Sequence, residues 1–242
     1  MPIYRLPQAY VFPDPRLADE HGLLAVGGDL HPERLLLAYA NGIFPWPSHE
    51  LPLAWFSPDP RMLLFPGEVV VSRSLRRSIR RRRFEVRADT AFAEVMRACA
   101  DARRGHTWIT DEMFEAYTRL HALGFAHSIE VYARGELVGG LYGVSLGGTF
   151  CGESMFHYET DASKAAFVAL ARQTERWGFH FVDCQLPTEH LASLGARPVP
   201  RDEYLELLRG AMESPGRRGR WHLDRDLLAD LSGAAAEPGQ SV

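Results

Sequence analysis

The sequence predicts an α+β fold, with a small N-terminal domain followed by a larger domain built on a mixed, mainly antiparallel sheet. Three observations predict it. Residues 1–62 are rich in proline and aromatics, as in Phe12-Pro13-Asp14-Pro15, Phe44-Pro45-Trp46-Pro47 and Trp55-Phe56-Ser57-Pro58-Asp59-Pro60. From Glu136 to Gln185 the apolar pattern changes period in the order strand, strand, helix, strand. A chain of 242 residues with 46% apolar content can bury a substantial core, in one large domain or two unequal ones.

The elements follow in order. A helix is expected from Pro32 to Asn41, with Asp29 or His31 near its start, proline at a tolerated first-turn position and Asn41-Gly42 as its stop. Met62 to Val71 reads as one or two short strands, and Ser72 to Arg82 as a basic helix opened by a serine cap. Asp89 to Arg103 fits an amphipathic helix with Phe92, Val95, Met96 and Cys99 on one face, and Thr110 to Leu123 fits another, with Met113 and Phe114 facing in. Ser128 to Ala133 is a strand, turned at Arg134-Gly135 into Glu136 to Ser145. Gly147-Gly148 leads on to Thr149 to Phe156. A helix then runs to Trp177, followed by the strand Phe179 to Val182, short helices near Thr188 to Leu194 and Arg201 to Met212, and a strand-like Trp221-His222-Leu223. The expected division is therefore residues 1–62, residues 63–231, and a small, polar, disordered tail at 232–242.

Composition excludes several classes. Cys99, Cys151 and Cys184 are odd in number and lack C-x-x-C spacing, and the ten histidines show no paired ligand spacing, so neither a disulfide framework nor a metal is expected. Prolines and charges break the first sixteen residues where a signal peptide needs an apolar core, and no run has the length of a membrane span; a cytoplasmic protein is expected. The net charge of −4 is unevenly spread. Ser72 to Arg87 holds eight arginines against Glu85 alone, a local +7, so the remainder carries −11.

Three constellations could carry chemistry. Arg73, Arg76, Arg77, Arg80 and Arg81 recur at three- and four-residue spacing, a cationic helical stripe suited to a nucleic-acid backbone or simply solvated. Trp46, Trp108 and Tyr39 are candidate stacking platforms for unpaired bases, or core aromatics. In Cys151-Gly152-Glu153-Ser154-Met155-Phe156, strand alternation puts Cys151, Glu153 and Met155 on one face. Glu153 there either orients a cationic substrate or pairs with a structural arginine. Asp183 and Gln185 follow a buried strand, where α/β sheets place ligands, or else form a turn with a surface glutamine.

The strand, strand, helix, strand order resembles the GNAT N-acyltransferases, whose glycine-rich loop seats the pyrophosphate of coenzyme A at a helix N-terminus. Here that position reads His157-Tyr158-Glu159-Thr160-Asp161-Ala162-Ser163, without glycine and with two carboxylates. A donor other than coenzyme A is expected.

More specific motifs span nearly the whole chain: Gly22-Leu23-Leu24-Ala25-Val26-Gly27-Gly28-Asp29-Leu30, Gly42-Ile43-Phe44-Pro45-Trp46, Trp55-Phe56-Ser57-Pro58-Asp59-Pro60-Arg61, Thr107-Trp108-Ile109-Thr110, His127-Ser128-Ile129-Glu130-Val131, Cys151-Gly152-Glu153-Ser154-Met155-Phe156, Ala162-Ser163-Lys164, Asp183-Cys184-Gln185 and Ala192-Ser193-Leu194-Gly195-Ala196. With these the chain resembles the leucyl/phenylalanyl-tRNA–protein transferases. The resemblance implies a GNAT-like second domain and transfer of leucine or phenylalanine, less readily methionine, from its tRNA to the N-terminal arginine or lysine of a protein. That product is an N-degron for proteolysis. An aminoacyl ester is already activated, so no cofactor is implied, and the enzyme is expected to act as a monomer.

Carried over by motif, Trp46 and Trp108 would hold the terminal adenosine. Leu141, Phe150, Met155, Leu170 and Val182 would line the side-chain pocket, with Glu153 near its polar end. The family commonly has methionine at Leu141, and Leu170 aligns with phenylalanine in some relatives; both stay apolar here. Asp183 and Gln185 would be the catalytic pair. The attacking α-amine has a pKa of about 7.7 to 8.0, whereas an ordinary aspartate at about 3.9 is a poor base for it, by roughly 5 to 6 kcal/mol. Orientation is therefore expected: the Gln185 carbonyl accepts from the amine while Asp183 polarises Gln185 and stabilises charge growing on nitrogen. The competing readings are an acyl-coenzyme A-dependent GNAT enzyme and a non-catalytic RNA-binding module. Transferases that build peptidoglycan bridges share the donor but not these motifs.

Overall fold

A computed structural model describes residues 3–47, 52–82, 84–102 and 107–232. The chain opens with β1 (Tyr4–Leu6) and β2 (Leu23–Gly27), which pair in parallel. Helix α1 (Pro32–Ala40) follows; the His31 ring nitrogen accepts from the Glu33 amide, and Pro32 sits where its missing N–H costs nothing. Its stop at Asn41-Gly42 is enforced twice. Gly42 has φ +72°, and a Cβ there would lie 2.7 Å from the Tyr204 ring. β3 (Phe44–Pro45) and β4 (Ala54–Phe56) complete a four-stranded sheet in the order β1-β2-β4-β3.

The second sheet begins immediately afterwards with β5 (Arg61–Leu64). Expected strand character beyond it gives way to a 3-10 turn over Pro66–Glu68, because proline cannot donate to a ladder. α2 (Arg73–Arg82) has its serine cap, with Ser72 Oγ accepting from the Leu75 amide at 3.1 Å, and buries Leu75 and Ile79. β6 (Glu85–Ala88) and α3 (Phe92–Asp101) come next. The helix expected from Asp89 starts three residues later; its other expected end, Arg103, lies outside the described residues. The delay has a cause. Asp89 sits at φ +55°, and its buried carboxylate accepts from the Ser128 amide at 3.0 Å, His127 Nδ1 at 2.8 Å and the Trp221 amide at 2.7 Å.

After α4 (Asp111–Ala122), capped by Thr110, the antiparallel meander β7 (Ala126–Ala133), β8 (Glu136–Leu146) and β9 (Thr149–His157) leads into α5 (Ala162–Arg176). β10 (Phe181–Gln185) then pairs in parallel with β9 and antiparallel with β5. α6 (Glu189–Ala192), β11 (Arg197–Val199), α7 (Arg201–Met212) and α8 (Ala229–Ser232) end the described chain. The sheet order is β11-β5-β10-β9-β8-β7-β6, with β9·β10 its one parallel pairing, so the expected mixed, mainly antiparallel sheet is what forms.

Trp221-His222-Leu223 is not a strand. Its backbone reaches Asp89 instead, and the Trp221 ring stacks on His127 at 3.9 Å. The expected disordered tail began at Ser232, which α8 includes; residues 233–242 lie outside the described residues.

Alternation along the strands divides the core. α5, alanine-rich and buried along most of its length, packs on one face with Leu141, Phe150 and Val182. α1, α3 and α4 cover the other with Tyr142, Val144 and Cys151, and α7 continues that side over Leu63 and Phe181. The N-terminal unit thus shares a core with the large sheet, through Leu35, Tyr39 and Phe44 beside Met113 and Tyr117.

Candidate active site

Two adjacent strands break register at the same level of the sheet. On β9, Gly152 faces Gly143 and Ser154 faces Tyr142, so Glu153 is an extra residue with no partner on β8. On β10, Asp183 faces Leu63 and Gln185 faces Met62, which makes Cys184 the extra residue. Such bulges re-aim side chains and invert the alternation beyond them. The expected shared face of Cys151, Glu153 and Met155 is therefore wrong. Cys151 packs with the α3/α4 core and Met155 with the α5 core. The parallel ladder between β9 and β10 ends at Asp183–Cys151, directly before both bulges.

Glu153 is buried at a meeting point of three elements. Its Oε1 accepts from Tyr39 Oη of α1 at 2.8 Å and from Gln185 Nε2 at 2.9 Å; its Oε2 accepts from Tyr117 Oη of α4 at 3.2 Å. The two phenol oxygens are also in contact, but each carries a single proton and both are given to Glu153. Burial raises the Glu153 carboxyl to about 7, against the pull of both phenols toward the ion; nearby Asp183 adds to the rise and Arg61 opposes it. Tyr39 is consequently no stacking platform. It is buried, with its hydroxyl engaged, and burial together with the Glu153 charge pushes its pKa well up.

Asp183 points the opposite way from its expected role. Its carboxylate is gripped by Arg61, Nε to Oδ1 and Nη2 to Oδ2 at 2.8 Å each, with Tyr204 Oη donating at 2.9 Å. The guanidinium lies over the rings of Phe44 and Tyr204, at 4.7 and 4.8 Å. Burial opposes the arginine's charge, yet Asp183 more than compensates and raises its pKa. Asp183 meets Gln185 through the backbone, accepting the Gln185 amide N–H at 2.9 Å and holding that residue at φ +63°. The group against the Gln185 side-chain amide is Glu153, not Asp183. Since a carboxylate only accepts, Nε2 must face it, leaving Oε1 as the acceptor for a substrate.

Two cavities open where the ladder ends. One of about 330 Å³ is lined by Leu141, Phe150, Met155, Leu170 and Val182, together with Phe167 and Leu191. The other, of about 250 Å³, has Trp46, Trp108, Phe44 and Gln185 in its walls. They share Gly152, Glu153, Cys184, Thr188 and Leu191. All the expected pocket residues and both tryptophans thus converge. Trp46 is exposed, braced by Phe56 at 5.8 Å. The opening of α5, where a pyrophosphate loop would lie, is filled by paired carboxylates: Glu159 with Arg82 and Arg134, Asp161 with Lys164. Arg73, Arg76, Arg77, Arg80 and Arg81 are exposed on α2, with Arg76 3.5 Å from the Asp230 carboxylate.

Several participants escaped sequence reasoning. Arg61 closes the Trp55–Arg61 motif, but nothing local says that it pairs with a residue 122 positions away. Tyr117 sits on a helical face read as core. Phe167 was findable, one turn before Leu170 on the same helix face. No cluster of metal-binding side chains occurs among the described residues, and no helix among them is long and apolar enough to cross a membrane.

The family model "Leucyl/phenylalanyl-tRNA protein transferase" matches residues 63–209, and the model for the N-terminal domain of the same transferases matches 28–59. The leucyl/phenylalanyl-tRNA–protein transferase of Anaeromyxobacter sp. (strain Fw109-5) is 58% identical over 227 residues, covering 93% of this chain and 97% of the relative. That of Myxococcus xanthus (strain DK1622) is 53% identical over 243 residues, covering 98% and 100%. Among solved structures, L-PGS from Bacillus licheniformis aligns with 88% of this chain and 74% of its own at 12% identity and a TM-score of 0.40, a likeness too slight to carry an argument.

Two outcomes follow from the buried charges. Arg61→Met leaves the Asp183 carboxylate unpaired and is expected to cost about 3–5 kcal/mol in urea denaturation, with Arg61→Met/Asp183→Asn recovering much of the loss. For Glu153, the folded state holds the proton more tightly than the unfolded chain, whose value is 4.5. The resulting penalty is absent below pH 4.5, grows up to about pH 7 and is complete above it. Glu153→Gln removes it, so the variant's stability relative to the parent should rise by up to about 3 kcal/mol between pH 4.5 and pH 8. A flat difference would mean that Glu153 titrates normally.

Proposed function

The chain belongs to the leucyl/phenylalanyl-tRNA–protein transferase family, and from that premise we propose how its residues perform the transfer. The enzyme moves leucine or phenylalanine from its tRNA to a protein, the N-terminal aminoacylation of the N-end rule pathway. The donor's 3′ adenosine lies in the cleft with Trp46 and Trp108, and the amino-acid side chain enters the apolar pocket of Leu141, Phe150, Met155, Phe167, Leu170 and Val182. The scissile ester then spans the shared wall at Gly152 and Glu153. What carries this reading is the junction itself: an aromatic cleft and an apolar pocket meet at the one glutamine whose carbonyl is left free to accept.

The acceptor's α-amine attacks the ester carbonyl. Gln185 Oε1 accepts a hydrogen bond from that amine and aligns its lone pair with the carbonyl carbon. Glu153, bonded to the same amide through Nε2, polarises it and offsets the positive charge developing on nitrogen. Asp183 is a positioning residue. Its own charge is compensated by Arg61, and its work is to hold Gln185 by the backbone. As the C–N bond forms, the ester C–O bond breaks and a proton from the attacking nitrogen passes to the departing 3′ oxygen.

The acceptor is read as a protein beginning with arginine or lysine, which the acidic excess outside α2 favours. Methionine, apolar and unbranched, suits the same pocket as a poorer donor. The α2 stripe meets the tRNA backbone. Residues 1–62 and 63–231 are read as two domains, supported by their separate sheets. The enzyme is read as a monomer, and a charged tRNA as donor favours the cytoplasm.

Gln185→Ala, assayed with Phe-tRNA and a peptide beginning with arginine, should lower kcat about 10²- to 10³-fold while folding cooperatively; normal turnover would remove Gln185 from the mechanism. Arg77→Glu/Arg81→Glu should raise KM for charged tRNA and reduce its dependence on log salt by about two, with kcat nearly unchanged. An unaltered salt slope would leave the stripe merely solvated.

A further inference from the structure

Among the described residues Glu153 is the sole carboxylate in the walls of either cavity, and it stands in the wall they share. Of about four acceptor positions on a carboxylate, Tyr39, Tyr117 and Gln185 fill three, which leaves one on Oε2, whose other bond is the longest of the set at 3.2 Å. Among the described residues no arginine or lysine pairs with it. Arg61, whose charge acts on it, is committed to Asp183, and His190 in the pocket wall is held toward its neutral form by burial and by Lys164. Such a carboxylate lacks a cationic partner that its surroundings would strongly favour.

The donor supplies one. In an aminoacyl ester the α-carbon joins the ester, and through it the adenosine, to the side chain. With those two ends in the two cavities, the α-nitrogen falls at their junction. We propose that Glu153 is the counter-ion of the donor's own α-ammonium, so that the site selects aminoacyl esters with a free α-nitrogen and keeps that nitrogen protonated during transfer. The selection has a chemical purpose. A neutral donor amine would be a second nucleophile beside the acceptor's, whereas an ammonium has no lone pair to attack with. Tyr39 and Tyr117, from two different helices, hold the carboxylate at the junction and favour its ionised form. The proposal rests on the placement of the donor across the two cavities.

The test uses two stable analogues that share adenosine and side chain and differ only in the α-nitrogen: 3′-deoxy-3′-(phenylalanylamino)adenosine and its 3-phenylpropionylamino counterpart. Calorimetry on the full-length protein should find the free-amine compound at least tenfold tighter, with the gap closing in Glu153→Gln. Equal binding of both to the parent protein overturns the ammonium site while leaving the donor placement standing; binding of neither overturns the placement. A gap that persists in a folded Glu153→Gln assigns the ammonium to another group and also overturns the proposal. Should that variant not fold, wild-type turnover decides: phenyllactyl-tRNA, with hydroxyl in place of ammonium, is expected at least tenfold below Phe-tRNA in kcat/KM, and equality rejects the idea.

Discussion

The buried Asp183 carboxylate fixes more of this molecule than any other group. It accepts two bonds from Arg61 on β5, one from Tyr204 on α7 and one from the backbone of Gln185, so a strand, a helix and the end of β10 are tied at one point. A charge so deeply buried is tolerable only when it is fully paired. The pairing in turn dictates the left-handed backbone at Gln185, the end of the β9·β10 ladder, and the space beyond it in which both cavities open. The ion pair is thus the support of the site. The reacting surface belongs to the residues it positions.

The matched bulges at Glu153 and Cys184 show how a regular sheet is made to present chemistry. One extra residue on each of two neighbouring strands interrupts the ladder just beyond Asp183–Cys151, where the Glu153 carboxylate and the Gln185 amide meet at 2.9 Å. Gly143, opposite the first bulge, has no room for a side chain: a Cβ would lie 2.1 Å from the Cys151 carbonyl oxygen. The divided labour of the two acids follows from this geometry. Asp183, matched by an arginine, acts as structure; Glu153, matched only by neutral donors, stays electrostatically unsettled and near 7.

The opening of α5 explains the choice of donor in the same terms. Where an acyl-coenzyme A enzyme needs bare amides for a pyrophosphate, this chain offers Asp161 in a left-handed conformation and Glu159, both already paired with cations. Gly139 packs against Ala162 so closely that a Cβ on the glycine would lie 2.5 Å from the Ala162 Cβ. The concentrated positive charge of the chain lies instead on α2, where buried Leu75 and Ile79 anchor one face and arginines fill the other.

Local pattern was enough for whatever depends on local physics. The helix over residues 32–40, the serine-capped basic helix, the meander from Ala126 to His157 and the helix Arg201–Met212 are written in caps, periodicity and glycine turns, and the sequence alone also excluded a glycine-rich phosphate loop. Motif resemblance supplied the residues that converge on the two cavities. Alternation misjudged Cys151 and Met155, because a bulge is set by the partner strand and is silent in its own. The contact expected between Asp183 and the Gln185 side-chain amide is made by Glu153 instead, because Arg61 lies 122 residues away and only the folded chain brings it to the Asp183 carboxylate. Tyr39 reads in sequence as a stacking platform or a core aromatic, and Tyr117, 78 residues away, carries no signal of its own; two helices set their hydroxyls on one buried acid. The sequence by itself determined which segments fold and which family they belong to. Tertiary structure decided which acid keeps a free valence for substrate, since the charge state and orientation of a buried group depend on partners that chain order does not adjoin.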